Sequence, residues 1–496
     1  MDAYTLPNML DDRVKLHWRR TKIVATLGPA TSTPKAIAEL LEAGVDVVRL
    51  NMSHGDHASH RALFALVRKT AQKLDRHVGI LLDLCGPKIR TGTFPGGAIT
   101  LLTNTEVVID TRADVGAPGV IASQYRLLHK DVKAGQRVLL DDGNLELRVL
   151  GVRGQQVRCR VIYGGILKDH KGINLPDSTV TAPALTAKDR DDARLAVELG
   201  ADFVAMSFVR NAQNVLALKR LLAKLAAAPG AVAVASIPVI AKIETPEAIH
   251  NIHKILRVSD GIMVARGDLG IELPAETVPL VQRDLIKLAR EYHVPVIVAT
   301  QMLESMITQA RPTRAEVGDV ANAAFAGADA VMLSAETASG KYPLRAIKIM
   351  DKVVREVEGY QWQQGAFVLN GSNKKTLSDR DAIAHAAASL AHELKLQGLI
   401  IPSNSGITAR IIAAQRPTAP LIAVSRNAAV CRQMALCWGI VPMIYTPNGD
   451  SIESEKMCRE VAARAHLTRT GQNVLLVSGF NDDPLQNSPM MRLVRV

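Results

Sequence analysis

Short apolar runs rich in Val, Ile and Ala recur along the first two-thirds of the chain, with amphipathic stretches between them. Runs that are apolar at consecutive positions predict strands buried on both faces, as in parallel sheets. Amphipathic stretches such as residues 34–44 open with Pro and close on Gly, which predicts helices between the strands. The runs begin at Lys22, Val45, Val78, Asp202, Pro238, Gly261, Val294 and Asp329.

The spacing of these runs predicts an α/β fold. Eight strand–helix units make a (β/α)8 TIM barrel, to which we assign residues 21–87 and 184–356. The interval from Val78 to Asp202 is too long for one unit and predicts an insertion of roughly 90 residues. Alternating strands and the turn at Asp142 and Gly143 predict that residues 88–183 form a small β-barrel lid domain.

The rest of the chain divides into three parts. Residues 1–20 form an N-terminal arm without the apolar centre of a signal peptide, and residues 357–380 are polar and are interpreted as a linker. Residues 381–496 alternate helix and strand and predict a C-terminal open α/β domain, with residues 478–496 as a final loop. The most apolar stretch, residues 221–241, contains Lys, Pro and Gly and predicts no membrane span.

Charge and cysteine content narrow the class of partner. The formal net charge is +12, but the basic residues form no run longer than two and aromatic residues are only 3%. This favours anionic small-molecule substrates over nucleic acid, which usually requires a basic stripe with stacking aromatics. The five scattered cysteines support neither a disulfide framework nor a zinc site, which predicts a cytoplasmic protein.

Charged residues gather where the predicted strands end, which is where barrel enzymes place their chemistry. Lys242 and Glu244 are two apart and share a strand face, and Glu244 and Asp268 on adjacent strands form a carboxylate pair suited to Mg²⁺. Arg49, Arg90 and Lys242 add positive charge, so the set predicts phosphoryl transfer. For any single one of these residues, the alternative interpretation is that it is polar only because the end of its strand is exposed to water.

Nine motifs in one order, from Thr21 to Pro343, resemble those of the pyruvate kinase family. They are TKIVATLGPAT, VVRLNMSHG, GPKIRTG, KGINLP, AKIET, MVARGDLG, ATQMLESM, RPTRAEVGDVANA and MLSAETASGKYP. The resemblance implies transfer of a phosphoryl group from phosphoenolpyruvate to ADP, giving pyruvate and ATP. It also implies a homotetramer that is regulated by a phosphorylated metabolite.

The resemblance also implies roles for individual residues. Arg49 would hold the transferring phosphoryl group with help from Arg90, and Lys242 would neutralise its charge. Glu244 and Asp268 would ligate one Mg²⁺, and a second Mg²⁺ would arrive with the nucleotide.

Further roles implied by the resemblance concern the substrate and the nucleotide. Backbone N–H groups around Gly267 and Asp268 would bind the substrate carboxylate, and Thr300 would help to protonate the enolate. The nucleotide would be bound by Pro29, His54, Arg90 and Lys171. His54 is alternatively a helix-start residue, and Lys171 a solvated lysine.

A monovalent-cation site is implied in members of the family that require K⁺. The residues matching that site are Asn51, Ser53, Asp83 and Leu84. Those members carry Glu where this chain has Lys88, so we expect a tethered ammonium to replace the ion and K⁺ not to be required. The alternative is a solvated surface lysine.

A turn in the C-terminal domain is a candidate effector site. Its hydroxyl and glycine residues precede a predicted helix and suit a phosphate, or alternatively form an N-cap cluster. They are Ser403, Ser405, Gly406 and Thr408. The final loop lacks the Gly-rich segment of members that bind fructose 1,6-bisphosphate and carries Asp482 and Asp483, which disfavours a bisphosphate. A sugar monophosphate and a nucleotide monophosphate both stay open as possible effectors.

Two other functions compete with phosphoryl transfer to ADP. One is a Mg²⁺-dependent aldolase or mutase that handles phosphoenolpyruvate or pyruvate on the same barrel. The other is a basic binding or regulatory protein without catalysis. The lid insertion argues against the first, and the presence of Lys242, Glu244 and Asp268 together argues against the second.

Overall fold

The computed structural model describes residues 18–228, 236–363, 378–446, 454–467, 472–480 and 487–496. Its first part supplies three strands of the barrel, all lying in the apolar interior, with two helices between them. Thr33 and Asp56 accept backbone N–H groups at the two helix starts, which explains where the helices begin. The elements are β1 (Lys22–Thr26), α1 (Pro34–Glu42), β2 (Val47–Asn51), α2 (His57–Lys73) and β3 (Gly79–Asp83).

The insertion after β3 folds into two sheets around its own apolar core, which includes Ile109, Leu147 and Val161. The larger sheet has the strand order β11-β7-β8-β9-β5-β6, and the smaller pairs β10 with β4. These elements are β4 (Ala98–Leu101), β5 (Glu106–Asp110), β6 (Val120–Ala122), α3 (Leu128–Asp131), β7 (Arg137–Leu140), β8 (Leu145–Arg153), β9 (Gln156–Tyr163), β10 (Gly165–Lys168) and β11 (Ile173–Asn174).

The chain then returns to complete the barrel. The parallel strands close in the order β1-β16-β15-β14-β13-β12-β3-β2, which confirms the predicted TIM barrel. The strands are β12 (Phe203–Met206), β13 (Val239–Ile243), β14 (Gly261–Ala265), β15 (Val296–Ala299) and β16 (Ala330–Leu333). The helices are α4 (Ala187–Leu199), α5 (Ala212–Ala226), α6 (Pro246–His250), α7 (Ile252–Leu256), α8 (Arg266–Glu272), α9 (Val278–Glu291), α10 (Arg314–Phe325), α11 (Ala335–Ala338) and α12 (Pro343–Gln363).

Four aspartates, which we call the base aspartates, precede strands at the amino end of the barrel. Each accepts the backbone N–H of a residue in the neighbouring strand, over distances of 2.8 to 3.1 Å. Each also pairs with Arg or Lys. They are Asp46, Asp202, Asp260 and Asp329. These contacts fix the amino ends of the strands. The functional side chains are therefore expected at the carboxyl ends, on the opposite side of the barrel.

The C-terminal part is an open α/β domain, as predicted. Its sheet has the order β19-β18-β17-β20-β21, with β21 antiparallel to β20. The elements are α13 (Asp379–Glu393), β17 (Leu399–Pro402), α14 (Ile407–Ala414), β18 (Leu421–Ser425), α15 (Ala428–Met434), β19 (Ile440–Ile444), α16 (Ser454–Arg464), β20 (Asn473–Ser478) and β21 (Met490–Arg495). No described helix is both long enough and apolar enough to span a membrane.

Two segments differ from the sequence-based interpretation. The expected final loop contains strand β21, which pairs along the whole of β20. The expected linker from residue 357 begins inside α12, where Glu358 is buried and accepts the N–H groups of Arg20 and Thr21 at 2.7 and 2.6 Å. Residues 1–17 of the arm, residues 364–377 of the linker, and Asp482 and Asp483 lie outside the described residues.

Candidate active site

Four charged side chains meet at the carboxyl ends of β2, β3 and β13, and we call them the charged cluster: Arg49, Asp83, Lys242 and Glu244. Arg49 Nε donates to Asp83 Oδ2 at 2.7 Å. Lys242 Nζ lies 3.4 Å from Asp83 Oδ1 and 2.9 Å from Glu244 Oε1. Asp83 is 1% exposed and Glu244 0%, so these charges act on one another with little screening by water.

Neighbouring polar groups fix the charged cluster in place. Arg49 Nη1 donates to the Thr26 hydroxyl at 3.0 Å, and Lys242 Nζ donates to the Ser207 hydroxyl at 2.7 Å. The Phe208 N–H donates to Glu244 Oε2 at 2.6 Å, and Phe208 adopts a φ of +52°. A positive φ at a bulky residue is strained. The backbone after β12 therefore holds an unfavourable conformation that aims its N–H at Glu244.

Burial and mutual attraction shift the pKa values of the charged cluster. Burial alone would lower the pKa of Lys242, but the Asp83 and Glu244 carboxylates outweigh it and raise that pKa. Burial alone would raise the pKa of Asp83, but Lys242 and Arg49 lower it. Burial raises the pKa of Glu244, and the charge of Asp268 adds to the rise against the opposing effect of Lys242. Lys242 is accordingly a firmly protonated cation.

Glu244 and Asp268 provide two neighbouring negative charges, as a divalent cation requires. Glu244 Oε1 is fully buried and faces Lys242 Nζ at 2.9 Å, as an ion pair that lacks ordinary hydrogen-bond geometry. The negative charge of Asp268 disfavours a second carboxylate there unless a cation joins them. Within the described ranges, no three His, Cys, Asp or Glu side chains form a metal-binding group. An ion held by these two carboxylates would take its other ligands from substrate and water, as Mg²⁺ commonly does.

Gly267 and Thr300, which are both assigned to the substrate, are in direct contact. The Gly267 N–H donates to Thr300 Oγ1 at 2.7 Å, and this hydroxyl donates to the Ala299 carbonyl at 2.6 Å. Thr300 has a φ of +69°, and Arg266 Nη2 binds its carbonyl at 2.8 Å. The Gly267 N–H thus already has an acceptor, which a substrate carboxylate would have to replace or share.

The four expected nucleotide residues fall into two pairs. Arg90 and Lys171 lie on neighbouring lid segments, where Lys171 Nζ pairs with Asp141 at 2.7 Å and Arg90 Nη1 binds the His170 carbonyl at 3.1 Å. Pro29 and His54 are exposed beyond the ends of β1 and β2. The His54 carbonyl accepts from His60 Nε2 at 2.8 Å.

The residues matching the monovalent-cation site are only partly arranged as expected. Asn51 lies opposite Asp83 in the strand register, and its Oδ1 accepts the N–H of Ser53 at 3.1 Å. The Leu84 carbonyl accepts the Ser207 hydroxyl at 2.7 Å. Lys88 is exposed and extends along Gly172 of the lid. Among the described residues it forms no ion pair with Asp83, whose carboxylate instead faces Arg49 and Lys242.

The expected effector residues lie in one turn between β17 and α14. Ser403 is buried, and Gly406 begins the helix with a φ of +78°. Gly406 is the N-cap residue of that helix and has no side chain with which to cap it. Ser405 and Thr408 belong to the same turn and first helical residues.

Sequence reasoning missed several supporting residues. Thr26 and Phe208 hold the charged cluster together with Ser207, the polar residue that follows β12. Asn174 on β11 donates to Glu272 at the end of α8 at 2.8 Å. Asn174 lies in the KGINLP motif, and Glu272 is the second residue after the end of MVARGDLG, so closeness to these motifs was the available signal.

Comparison with known proteins gives consistent matches along nearly the whole chain. A family model for the pyruvate kinase barrel domain matches residues 18–347, and one for the pyruvate kinase alpha/beta domain matches residues 381–494. The chain is 42% identical to a pyruvate kinase of Geobacillus stearothermophilus, over 93% of this chain and 78% of that protein. It is 41% identical to one of Mycobacterium tuberculosis, over 96% and 98%. A crystal structure of a pyruvate kinase from Cryptosporidium parvum superposes with a TM-score of 0.88 at 34% identity, over 96% of each chain.

Proposed function

The chain belongs to the pyruvate kinase family and is a phosphotransferase, and we propose that it transfers the phosphoryl group of phosphoenolpyruvate to ADP, giving pyruvate and ATP. The observation that carries this proposal is the buried Lys242, which lies 2.9 Å from Glu244 and is joined through Asp83 to Arg49. Two fixed cations beside a buried carboxylate form a site for a phosphoryl group and a metal together.

Arg49 and Lys242 are proposed to stabilise the transferring phosphoryl group. Its negative charge spreads over the oxygens in the transition state, and catalysis depends on positioned opposite charge. Asp83, Thr26 and Ser207 already orient both cations, so little reorganisation is needed during transfer.

Glu244 and Asp268 are the residues that would hold Mg²⁺, and a second Mg²⁺ would accompany the nucleotide. When bound, this metal neutralises negative charge on substrate oxygens. We assign the Gly267 and Asp268 N–H groups to the substrate carboxylate. We assign to the Thr300 hydroxyl the transfer of a proton toward the enolate carbon, directly or through water, for which it must release the Ala299 carbonyl to which it donates.

The nucleotide is assigned to the cleft between barrel and lid. Arg90 and Lys171 would meet its phosphates from the lid, and Pro29 and His54 would meet it from the barrel. Lys171 must then exchange Asp141 for a phosphate oxygen. We retain residues 88–183 as the lid, which excludes water while the phosphoryl group moves.

The function is tested by measuring ATP formed from phosphoenolpyruvate and ADP, with and without Mg²⁺. We expect ATP and pyruvate in equal amounts and loss of both with a chelator. If carbon–carbon bond chemistry proceeds and no ATP forms, the aldolase or mutase is correct instead. If neither reaction occurs, the chain is the binding protein.

We further propose that Lys88 removes the need for K⁺. A lysine at this position adds a positive charge at the mouth of β3, where a glutamate would add a negative one. Wild-type rates should then be equal in K⁺ and in a bulky organic cation. Lys88→Glu should acquire a many-fold stimulation by K⁺. A many-fold K⁺ stimulation of the wild type would contradict this proposal.

Assembly and regulation are proposed from family membership. We expect a cytoplasmic homotetramer, which light scattering tests. A phosphorylated metabolite is expected at the turn containing Ser403, Ser405, Gly406 and Thr408. A screen of sugar phosphates and nucleotide monophosphates at sub-saturating phosphoenolpyruvate would identify it. No response to any of them would count against this effector site.

A further inference from the structure

A side-chain hydrogen bond joins the lid to the barrel beside the candidate active site. Asn174 Nδ2 donates to Glu272 Oε1 at 2.8 Å. Asn174 ends strand β11, which pairs with β7 and whose Ile173 N–H also binds the Ile89 carbonyl at 2.9 Å. Asn174 is therefore held by backbone hydrogen bonds at the point where the segment around Ile89, which leads into the lid, meets the larger sheet of the lid. We call this point the lid corner.

The other end of the bond lies on helix α8. This short helix carries Gly267 and Asp268 in its first turn and Glu272 in its last. Asp268 and Glu272 are four residues apart and share a helix face. The lid also approaches α8 at Gly143, where an added Cβ would lie 3.6 Å from Ile271 Cγ2. The lid thus contacts the far end of the helix whose start carries the proposed metal and carboxylate groups.

Cavities flank this contact on two sides. One of about 70 Å³ runs from Glu272 to Phe208 and is lined by Ile173. Another of about 210 Å³ is lined by Asp177, Thr245 and Glu272. The lid is therefore not packed tightly on the barrel at this point. A directed hydrogen bond across a loosely packed cleft sets geometry that packing alone does not.

We propose that Asn174 and Glu272 are positioning residues that fix the lid's phosphate-binding side chains relative to helix α8. This rests on the proposed function. Lys171 and Arg90 are tied to the same lid corner, since Arg90 pairs with Gly172 and the Lys171 N–H donates to the Thr91 hydroxyl at 3.0 Å. Fixing Asn174 on Glu272 therefore also sets the distance from Lys171 to Asp268, and with it the alignment of ADP.

Steady-state kinetics of single variants provide the first test. Asn174→Ala should lower kcat/KM for ADP about tenfold, the usual effect of losing such a bond, with KM for phosphoenolpyruvate within about twofold. Asn174→Asp should do more harm when assayed at pH 8, because two carboxylates then face each other. The matched control is Gln156→Ala, which removes an amide-to-carboxylate bond of 2.9 Å to Asp110 wholly inside the lid. It should leave the kinetics unchanged.

A reciprocal exchange separates positioning from general damage. In Asn174→Asp combined with Glu272→Gln, the amide and the carboxylate change places and the bond can form again. This double variant should recover most of the kcat/KM that Asn174→Asp loses. A double variant no better than Asn174→Asp, or an Asn174→Ala enzyme with normal ADP kinetics, would overturn the proposal.

Hydrogen exchange gives a readout that does not depend on catalysis. Amides of residues 139–145 and 171–175 should exchange faster in Asn174→Ala than in wild type and Gln156→Ala. Unchanged exchange overturns the proposed contact even if activity falls. If the wild-type protein makes no ATP, the proposed function is overturned but the proposed lid contact is not. The hydrogen-exchange result then still decides whether Asn174 and Glu272 hold the lid.

Discussion

At the scale of single residues, Lys242 has an unusual position, because a mobile lysine side chain is held between Asp83 and Glu244 with little access to water. The attraction of both carboxylates keeps its ammonium charged despite burial. The ammonium charge that balances Asp83 and Glu244 is thus available to a phosphoryl group, without a proton having to be supplied first.

Replacing this lysine should separate folding from catalysis. We expect Lys242→Met to lower kcat about a thousandfold, because a preorganised cation is lost. Arg49 still compensates Asp83, so the variant should keep its far-UV circular dichroism spectrum. Lys219→Met is the matched control, since Lys219 pairs with Asp260 at the opposite end of the barrel at 2.7 Å. A Lys242→Met enzyme with a near-normal rate would exclude the assigned role.

Glu272 should make stability depend on pH. Burial raises its pKa to about 7 from an ordinary 4.5, and the bond from Asn174 opposes part of the rise. Between those values the folded state holds a proton that the unfolded state has lost, so stability falls as pH rises, by up to about 3 kcal/mol. Glu272→Gln lacks this dependence.

The measurement for Glu272 is thermal unfolding at two pH values. Glu272→Gln should raise Tm at pH 8 and change it little at pH 5. Glu198→Gln serves as a control, because Glu198 is exposed and pairs with Arg61. An equal shift at both pH values would show that the titration of Glu272 does not cause the effect.

At the scale of elements, the base aspartates explain why the barrel strands begin where they do. Asp329 accepts the Val296 N–H, the Trp438 N–H and Arg416 Nη2, each at 3.1 Å. Its own side chain is almost fully buried. One carboxylate therefore fixes two strands and a segment of the C-terminal domain.

Removing this carboxylate should be costly. Asp329→Ala leaves the buried Arg416 and two N–H groups without their acceptor, so we expect a loss of about 3–5 kcal/mol of unfolding free energy. Asp191→Ala removes an exposed pair with Arg194 and should cost less than about 1 kcal/mol. Denaturant midpoints of both variants test this, and equal midpoints would contradict the role given to Asp329.

Strands with continuous apolar runs were predictable because burial on both faces leaves a clear pattern. Strand β21 was not, since MMRLVR is exposed at most positions along the edge of its sheet. The end of α12 was misread because Glu358 is polar, although it is buried by accepting two backbone N–H groups.

The site was predictable in part for a similar reason. Parallel strands bring their ends together, so Arg49, Asp83 and Glu244 could be expected to meet. The direction of Lys88 and the bond between Asn174 and Glu272 depend on how the lid sits on the barrel. Partners that are 98 residues apart leave no local pattern in the sequence.

At the scale of the whole molecule, the C-terminal domain binds the barrel at its base, away from the charged cluster. Arg432 Nε reaches Asp202 at 2.8 Å, and Lys22 Nζ reaches the Ile440 carbonyl at 2.7 Å. Any influence of the proposed effector on the site must therefore cross the length of the barrel or act through the proposed homotetramer.

Loss of Arg432 should loosen this docking without unfolding the barrel. Asp202 keeps Arg68 at 2.6 Å, so Arg432→Ala should cost only about 1 kcal/mol. Calorimetry should show the transition of the C-terminal domain moving to lower temperature and separating from that of the barrel. Arg459→Ala, on the exposed face of α16, should change neither transition.

The pairing of β3 with β12 has a consequence for folding. These neighbouring strands are joined by the bond from Ile80 to Asp202, which spans 122 residues of chain. Closing so long a loop is slow and entropically unfavourable unless the intervening chain has already become compact. The lid brings its own ends together, so its early folding would shorten the effective loop. Destabilising lid substitutions should therefore slow barrel closure during refolding, even where they leave the finished enzyme intact.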